Sequence, residues 1–458
     1  MRKINRSVFV PLNKHSFHSA SNGSEVYHEL KIGPMKRLYK YYTKDTVNLA
    51  GGVPMERCFP FQSINVQTCD LTSPKGSYEL TKGKDLYLNY LRGDGINELK
   101  EWINNHMKKL HPAKVDYGTC MTVGSTDALA KTLMLLNGDS VLMDQYAYGT
   151  AINACKVMNR TPIGIKMDSE GMIPSSLDES IIAARKKGYK PDCIYVTPVG
   201  QNPTGLTMSL KRKQDIYNVC KTNDILIIED DAYYFLYYGD KDASKIPGLN
   251  HLPASFLSID TDNRVIRFDS LSKFVSPGVR LGWISGHHDF IAKFLLLQEM
   301  TTQFPSSISQ SMFMGLLNHW QDTGLDTHLQ NIQNHYLNQK NLMCNALNSV
   351  KNSVVTYVEP SGGMFLWLKL MNNSAMNTNN RLFQHLAGHG VITVPGEDFY
   401  VDSIENISSK KDSKNNKNIK NDEVKSNPAI VRLTFAAANK DNILEGINRL
   451  IKGIQTFK

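Results

Sequence analysis

The chain has 458 residues, of which 41% are hydrophobic and 21% are charged. A chain of this length exceeds what one hydrophobic core can serve, so we expect roughly two or three structural units. The composition is that of an ordinary globular protein. No run of residues approaches the ~18–20 apolar residues that a membrane-spanning helix needs. We therefore expect a soluble protein without a membrane partner.

The net charge of +9, from 52 Lys and Arg against 43 Asp and Glu, is concentrated in two segments. Residues 1–24 contain four basic residues and no acid, and residues 408–427 contain six lysines against three acids. The rest of the chain is close to neutral and shows no basic groove with interleaved aromatic residues, the pattern of a nucleic-acid-binding protein. We therefore predict no nucleic-acid partner.

The seven cysteines are scattered and include no C-x-x-C pair, which indicates a reducing compartment and predicts neither disulfides nor a metal site. The basic, acid-free segment 1–24 has two interpretations. It is typical of a mitochondrial presequence, and it is equally compatible with a disordered basic tail. The predicted compartment is the cytoplasm, with the mitochondrial matrix as a near-equal alternative.

Short apolar segments alternate with helical patterns from residue 121 onward. After an amphipathic helix at 96–110, the predicted strands are 121–123, 140–143, 193–197, 225–229, 265–268 and 281–285. Helices are predicted between several of them, at 126–136, 175–187 and 209–222. Apolar strands separated by helices indicate a mostly parallel sheet that is covered by helices on both faces, with ligands at the carboxyl ends of the strands.

The C-terminal part of the chain has a different organisation. Two long helices at 290–320 and 323–350 precede a smaller α/β unit, with strands at 354–359, 364–370, 391–394 and 430–435 and a closing helix after residue 439. Two Asn/Lys/Ser-rich inserts, 372–380 and 403–427, are expected to be solvent-exposed. We divide the chain into an N-terminal arm (1–46), a large domain (47–320, with 47–90 partly serving the small domain and dimer contacts) and a small domain (321–458).

Lys273 is the most informative single residue. It follows a predicted strand in the segment Asp-Ser-Leu-Ser-Lys, which also contains Ser270 and Ser272, and Arg280 comes seven residues later. A desolvated lysine amine forms imines with aldehydes, and hydroxyls with an arginine bind phosphate. An imine-forming lysine beside a phosphate site is what pyridoxal phosphate (PLP) requires. A capping serine next to a chance lysine explains this segment, taken alone, equally well.

Two further segments follow predicted strands and favour the binding of a ligand there. Ser125 and Thr126 open a helix, where free backbone N–H groups and the helix dipole attract phosphate. Asn202 lies in an Asn-Pro-Thr-Gly turn at the carboxyl end of another strand. Taken separately, these are an ordinary helix cap and an ordinary turn.

Charged residues in apolar strands complete the set. Asp230 ends a very apolar strand, where a carboxylate needs a partner; the protonated pyridine nitrogen of PLP is such a partner. Tyr233, three residues later, is positioned to hydrogen-bond the phenolic oxygen of the cofactor. Arg432 lies inside the strand 430–435, where its burial is costly unless it pairs with an acid, and the carboxylate of an amino acid would satisfy it.

The order of these motifs along the chain resembles that of the fold-type I, class I/II PLP-dependent aminotransferases, from residue 47 to the C-terminus. The segments 49–54, 59–61, 228–236, 264–267 and 394–396 are most similar to the fungal aromatic/2-aminoadipate and animal kynurenine/2-aminoadipate aminotransferases. The resemblance implies an α/β fold, with a large PLP-binding domain around a mostly parallel, seven-stranded type of sheet and a smaller α/β C-terminal domain.

The resemblance also implies a role for each candidate residue. Lys273 would hold PLP as a Schiff base and, with Asp230 and Tyr233, form the catalytic set. The further cofactor-binding residues would be Ser125, Thr126, Ser270, Ser272 and Arg280 at the phosphate, Tyr148 stacked on the ring, Asn202 at the phenolic oxygen, and Tyr90 reaching the phosphate of a neighbouring subunit. The substrate would be bound by Arg432, Asn202, the backbone near Gly52, and Lys36. No residue is assigned to a metal.

The implied function is transfer of the amino group from aromatic amino acids, 2-aminoadipate and kynurenine to 2-oxoglutarate, in a ping-pong reaction through pyridoxamine phosphate. The implied assembly is a homodimer with active sites shared across the interface. A PLP-dependent β-lyase or decarboxylase is the alternative that the residues exclude least, because these reactions begin in the same way. A PLP-binding transcription regulator would need a DNA-binding domain, and only 46 residues precede the matching region.

Overall fold

The computed structural model describes residues 24–457, except 32, 34–37, 42, 44, 48, 70–75, 240–245, 247, 350–354, 371–378 and 416–428. Its strands are, in chain order, β1 Ser63–Thr68, β2 Gly76–Thr81, β3 Gly118–Thr122, β4 Ser140–Asp144, β5 Thr161–Ile165, β6 Met167–Asp168, β7 Gly171–Met172, β8 Pro191–Val196, β9 Leu226–Asp230, β10 Val265–Ser270, β11 Gly282–Gly286, β12 Val355–Thr356, β13 Phe365–Leu370, β14 Val394–Pro395 and β15 Ile430–Thr434.

Helices separate most of these strands. They are α1 Glu25–Glu29, α2 Asn97–Leu110, α3 Ser125–Leu135, α4 Gly149–Val157, α5 Pro174–Lys186, α6 Leu210–Thr222, α7 Phe256–Ile259, α8 His288–Thr301, α9 Ser307–Ser349, α10 Asn379–Gly388, α11 Ile404–Asn415 and α12 Lys440–Thr456. Within the described residues, none of them combines the length and the apolar character that crossing a membrane demands.

The main sheet has seven strands in the order β3-β11-β10-β9-β8-β4-β5. Neighbouring strands from β10 through β5 run parallel, whereas β11 is antiparallel to both β10 and β3. The predicted mostly parallel, seven-stranded α/β fold is confirmed. Its carboxyl ends lie along one edge, so the residues that follow β8, β9 and β10 are brought together there.

Both faces of the main sheet are buried, because successive side chains of a strand point to opposite sides. In β8, Ile194 and Val196 belong to one apolar core, whereas Cys193 and Tyr195 belong to the other. Helices cover both sides, which explains why these strands read as continuous apolar runs without alternating polar residues.

The smaller unit contains an antiparallel sheet in the order β12-β13-β15-β14. Its core includes the apolar face of α12, on which Ile443, Ile447, Leu450 and Ile454 recur at helical spacing. The side chain of Asn439 caps this helix by accepting a hydrogen bond from the Asn442 N–H at 2.8 Å. An N-cap of this kind satisfies one of the backbone donors that a helix leaves free at its start.

The long helix α9 connects the two units. Its first part packs in the core under the main sheet and its last part packs in the core of the small unit. Gln321 interrupts it with non-helical backbone angles. Leu325 and Leu329, beyond this kink, still pack on the main core.

Several sequence predictions about elements were wrong in detail. The predicted helix 290–320 is divided between α8 and α9, because Gln303 has a positive φ of 63° and Pro305 supplies no backbone N–H. The edge strand β5 was missed, since Pro162 and Gly164 within it disfavour a strand. The insert 403–427 begins with α11, whose first residue, Ile404, is buried in the main core.

Part of the N-terminal arm contacts the large unit. Residues 24–30 pack against the large unit: Lys293 Nζ donates to the carbonyl of Tyr27 at 2.8 Å, and Leu30 is buried. Residues 1–23 of the basic segment 1–24, residues 372–378 of the insert 372–380 and Lys36 lie outside the described residues. Residues 416–427 of the second insert lie outside them as well.

Candidate active site

A cavity of about 390 Å³ opens at the carboxyl ends of the main strands, facing the small unit. It is lined by Ser125, Thr126, Tyr148, Tyr195, Thr197, Asn202, Asp230, Ala232, Tyr233, Ser270, Ser272, Lys273, Pro277, Arg280, Phe365 and Arg432. The structure therefore brings together all but three of the residues singled out from the sequence.

Lys273 lies in the turn that follows β10. Its ammonium nitrogen is 5.8 Å from the centre of the Tyr233 ring. The pKa of Lys273 is lowered by burial and, to a smaller extent, by the positive charges of Arg280 and Arg432. A lowered pKa increases the fraction of the lysine that is an uncharged, nucleophilic amine at neutral pH.

Asp230, at the end of β9, presents one carboxylate oxygen without a partner. Its Oδ2 accepts a hydrogen bond from the Tyr195 hydroxyl at 2.7 Å, whereas its buried Oδ1 has no hydrogen-bond partner in the described part of the chain. Burial raises the pKa of Asp230 to about 6, and the nearby hydroxyls of Tyr195 and Ser125 oppose this rise. An unpaired acceptor in a cavity wall fits a ligand that brings an N–H donor, such as a protonated ring nitrogen.

A set of donors for a phosphate lies at the start of α3 and around Arg280. Arg280 Nη1 donates to the Ser272 hydroxyl at 3.3 Å, and Ser270 Oγ donates to Ser272 Oγ at 3.0 Å. Across the described residues, no carboxylate pairs with Arg280. Gly124, with a φ of 106°, keeps this site open, because a Cβ there would lie 3.0 Å from Arg280 Nη2.

Arg432 lines the cavity and is held by two aromatic rings and an amide. Its guanidinium lies between the rings of Phe365 and Phe399, at 4.3 and 4.7 Å from their centres. Its Nη1 donates to Asn202 Oδ1 at 2.7 Å. Aromatic faces and an amide stabilise the cation without neutralising it, so the group still offers its charge to an anionic ligand in the cavity.

A buried ion cluster fixes the two strands that carry Lys273 and Asp230. Arg267 lies at 3.0 Å from Asp231, 3.2 Å from Glu229 and 2.8 Å from Asp269, and all four side chains are buried. In the parallel pairing, Arg267 is opposite Glu229. The alternation of side chains along the strand therefore directs Glu229 and Asp231 to Arg267 and leaves Asp230 to the cavity.

Three predicted residues are not part of the cavity as this chain forms it. Tyr90 is 65% exposed and contacts the ring of Phe304. Gly52 is described but does not line the cavity, and Lys36 falls in a range that the structure does not describe.

Sequence reasoning also missed residues that line the cavity, notably Tyr195, Thr197 and Phe365. In the sequence, Tyr195 looks like an ordinary core aromatic residue of β8. Its hydroxyl could have indicated a role in the site, because a buried tyrosine hydroxyl needs a hydrogen-bond partner. That partner, Asp230, lies on the neighbouring strand, 35 residues away in the sequence.

The residues present fit PLP. Lys273, with its lowered pKa, suits the aldehyde of that cofactor. The unpaired oxygen of Asp230 suits its ring nitrogen, and the serine and arginine donors suit its phosphate. Within the described ranges, no group of three or more His, Cys, Asp or Glu side chains is arranged to hold a metal ion.

Residues 78–450 match the sequence model of the family described as "Aminotransferase class I and II". The chain belongs to this family. Its members depend on PLP, so the chain is a PLP-dependent aminotransferase.

Similar proteins and structures agree with this assignment. The chain is 34% identical to an aromatic amino acid aminotransferase of Schizosaccharomyces pombe, covering 81% of this chain and 87% of the relative. It is 32% identical to the mitochondrial kynurenine/alpha-aminoadipate aminotransferase of Rattus norvegicus, covering 79% and 85%. Among solved structures, aminotransferase Aro8 from Candida albicans superposes with a TM-score of 0.82 at 26% identity, covering 94% and 97%.

We predict that Tyr195→Phe moves the acidic limb of the kcat/KM–pH profile to higher pH. Losing a hydrogen bond to a buried charge costs about 1.5–3 kcal/mol, which would raise the pKa of Asp230 further. The carboxylate would then be neutralised at a higher pH, and activity on the acidic limb of the profile should fall by roughly tenfold. Profiles measured from pH 5 to 9 test this.

Tyr238→Phe is the matched control, because its buried hydroxyl donates to the Gly362 carbonyl and not to a carboxylate of the site. Its profile should coincide with that of the wild type. A Tyr195→Phe profile that also coincides with it contradicts a role of Tyr195 in setting the charge of Asp230.

Proposed function

We propose that the chain transfers the amino group of aromatic amino acids to 2-oxoglutarate, and that 2-aminoadipate and kynurenine are further donors. The observation that carries the proposal is the cavity itself, in which Lys273 and the free oxygen of Asp230 share one space with the aromatic-flanked Arg432. Tyr148, Tyr233 and Phe365 give this space aromatic walls, which suit an aromatic side chain. The names of the fungal and animal relatives support the same substrates.

The proposed roles divide the cavity into three parts. Lys273 holds PLP and afterwards moves the proton between the substrate Cα and the cofactor. Bound PLP supplies an electron sink for the charge that develops at Cα. Asp230 keeps the ring nitrogen protonated, while Tyr233 and Asn202 bind the phenolic oxygen. The remaining cofactor contacts are Tyr148 against the ring and Ser125, Thr126, Ser270, Ser272 and Arg280 at the phosphate.

Arg432 and Asn202 are proposed to bind the α-carboxylate of the substrate, together with the backbone near Gly52, and Lys36 to approach its side chain. Binding the carboxylate at two points fixes the direction of the Cα–H bond as well as its position. Because Arg432 has no carboxylate partner among the described residues, the substrate supplies one.

The reaction itself is tested by a panel of amino donors with 2-oxoglutarate. We expect phenylalanine, tyrosine, kynurenine and 2-aminoadipate each to yield glutamate and the matching 2-oxo acid in equal amounts. Lys273→Ala should abolish turnover, and borohydride should fix the cofactor of the wild type on the peptide containing Lys273. Release of ammonia or carbon dioxide in place of glutamate would establish the β-lyase or the decarboxylase alternative.

The role of Arg432 is tested by two substitutions. Arg432→Ala should raise KM and reduce kcat/KM. The reduction should correspond to a loss of roughly 2–5 kcal/mol of transition-state stabilisation, the cost of removing one partner from a desolvated charge pair. Arg432→Lys keeps the charge but loses the planar fork, so kcat should fall although the substrate still binds.

Arg449→Ala, on the exposed face of α12 in the same unit, is the control and should behave as the wild type. Cofactor absorbance should be unchanged in all three variants, since Arg280 holds the phosphate. If Arg432→Ala loses the cofactor while KM is unaltered, the roles of the two arginines are exchanged.

A homodimer with shared active sites completes the proposal. Apolar side chains of the segment 47–61 are exposed in the single chain, with Leu49 at 93%, and Tyr90 is exposed as well. Exposed apolar surface of this kind is typical of a subunit interface. Tyr90 would then contact the phosphate in the active site of the partner.

Mixing two inactive variants tests the sharing of sites. Lys273→Ala and Tyr90→Ala should each be impaired as homodimers, whereas a heterodimer contains one site with both native residues. Refolding equal amounts together should therefore recover about a quarter of the wild-type activity, since half of the dimers are mixed and each has one native site. A mixture no more active than the mean of the separate variants contradicts shared sites.

For the compartment we propose the cytoplasm, with the mitochondrial matrix as the alternative. The basic segment 1–24 is compatible with both, and the relative from Rattus norvegicus is named as mitochondrial. Fractionation of cells that express the full chain distinguishes the two.

A further inference from the structure

Asp144, the last residue of β4, is a buried carboxylate that does not line the cavity. Its Oδ2 accepts a hydrogen bond from Gln201 Nε2 at 3.1 Å. Its Oδ1 has no hydrogen-bond partner among the residues that the structure describes. Burial raises the pKa of Asp144 to about 7, and the Gln201 amide opposes this rise. A carboxylate with so little compensation lowers stability, which suggests that it serves the site beside it.

Gln201 uses both ends of its side-chain amide. Besides Asp144, Nε2 donates to the Tyr146 carbonyl at 2.6 Å. Oε1 accepts from the Thr204 N–H at 2.8 Å and from the Thr204 hydroxyl at 2.5 Å. The loop that contains residues 201–205 is therefore folded around this one side chain, and its amide orientation is determined by which neighbours donate and which accept.

The residue next to Gln201 is Asn202, which contacts Arg432 at 2.7 Å. A shift of the Gln201 amide moves the adjacent peptide and with it the Asn202 side chain. When Asp144 is ionised, its hydrogen bond from Gln201 is charge-assisted and holds the amide more strongly than the neutral hydrogen bond of a protonated carboxyl group. The chain of contacts from Asp144 to Arg432 is thus continuous.

We propose that Asp144 is a positioning residue for the carboxylate end of the active site, acting through Gln201 on Asn202 and Arg432. The inference rests on the proposed function, in which Asn202 and Arg432 bind the α-carboxylate. Asp144 touches neither the substrate nor the cofactor. Its effect is therefore specific to ligands that carry a carboxylate.

The test compares two inhibitors of the holoenzyme that differ only at this end, 3-phenylpropionate and 3-phenylpropanol. The wild type should bind the acid more tightly than the alcohol. In Asp144→Asn the inhibition constant of the acid should rise roughly tenfold, because the charge-assisted hydrogen bond becomes a neutral one. The inhibition constant of the alcohol and the cofactor absorbance should not change.

Asp192→Asn is the matched control. Asp192 is a buried aspartate in β8 that pairs with Arg160 at 3.1 Å, at the end of the main sheet opposite the cavity. Its substitution should lower the unfolding temperature and leave the preference for the acid unchanged. A general loss of stability is thereby separated from a change at the carboxylate end.

A second substitution tests the route of the effect. Gln201→Met removes the amide and keeps a side chain of similar length, and it should reduce the preference for the acid by a similar factor. Adding Asp144→Asn to Gln201→Met should then have no further effect, since the contact through which Asp144 acts is already absent. If Asp144→Asn does not fold, Gln201→Met alone decides: an unchanged preference overturns the proposal.

The outcomes separate this inference from the proposed function. A wild type that does not prefer the acid contradicts the proposed role of Arg432 and overturns the inference with it. A wild type that prefers the acid, together with an unchanged preference in Asp144→Asn, contradicts the inference alone. Additive effects of Asp144→Asn and Gln201→Met overturn the route through Gln201.

Discussion

The architecture of the active site depends on one buried arginine. Arg267 joins the carboxylates of Glu229, Asp231 and Asp269 beneath the main sheet, and no member of this cluster is more than 2% exposed. Removing one partner from such a cluster costs about 3–5 kcal/mol, because charges remain buried without compensation. Burial raises the pKa of Asp231 and Asp269, and the guanidinium opposes this rise. The cluster therefore adds to the backbone pairing of β9 and β10 only while it is complete.

That linkage matters because β9 and β10 each end in a residue of the site. The twofold alternation of side chains along a strand sends every second residue to the opposite face. Asp230 thus points to the cavity because its two neighbours point to Arg267, and the turn that carries Lys273 begins where Asp269 is held. The same contact that stabilises the core sets the spacing between Asp230 and Lys273.

Burial brings the pKa values of Asp230 and Lys273 closer together. The pKa of Lys273 is lowered and that of Asp230 is raised to about 6. Both shifts disfavour charge, and a ligand that brings a positive ring nitrogen to Asp230 reverses the second one. Arg280 lies beside hydroxyl groups and Arg432 lies between aromatic rings, so the cavity has two separate guanidinium groups that can bind anions.

The sequence alone identified most of the residues that line the cavity, because chemistry restricts the choice. Burial is costly without a ligand for Lys273 after a buried strand, for Asp230 at the end of an apolar strand and for Arg432 inside another strand. The order of these residues along the chain indicated the family. Local patterns also predicted the parallel sheet, since apolar strands and helices alternate with short connections.

The tertiary structure decided the contacts between residues that are distant in sequence, because no local pattern encodes such contacts. Tyr195 on β8 donates to Asp230 on the neighbouring strand β9, Gln201 joins Asp144 to the loop of Asn202, and the rings of Phe365 and Phe399 enclose Arg432. The helix α11, at the start of the polar insert, packs on the main core through the buried side chain of Ile404. In each case a side chain's partner depends on which strands and loops become neighbours, and that is fixed only when the two cores have packed.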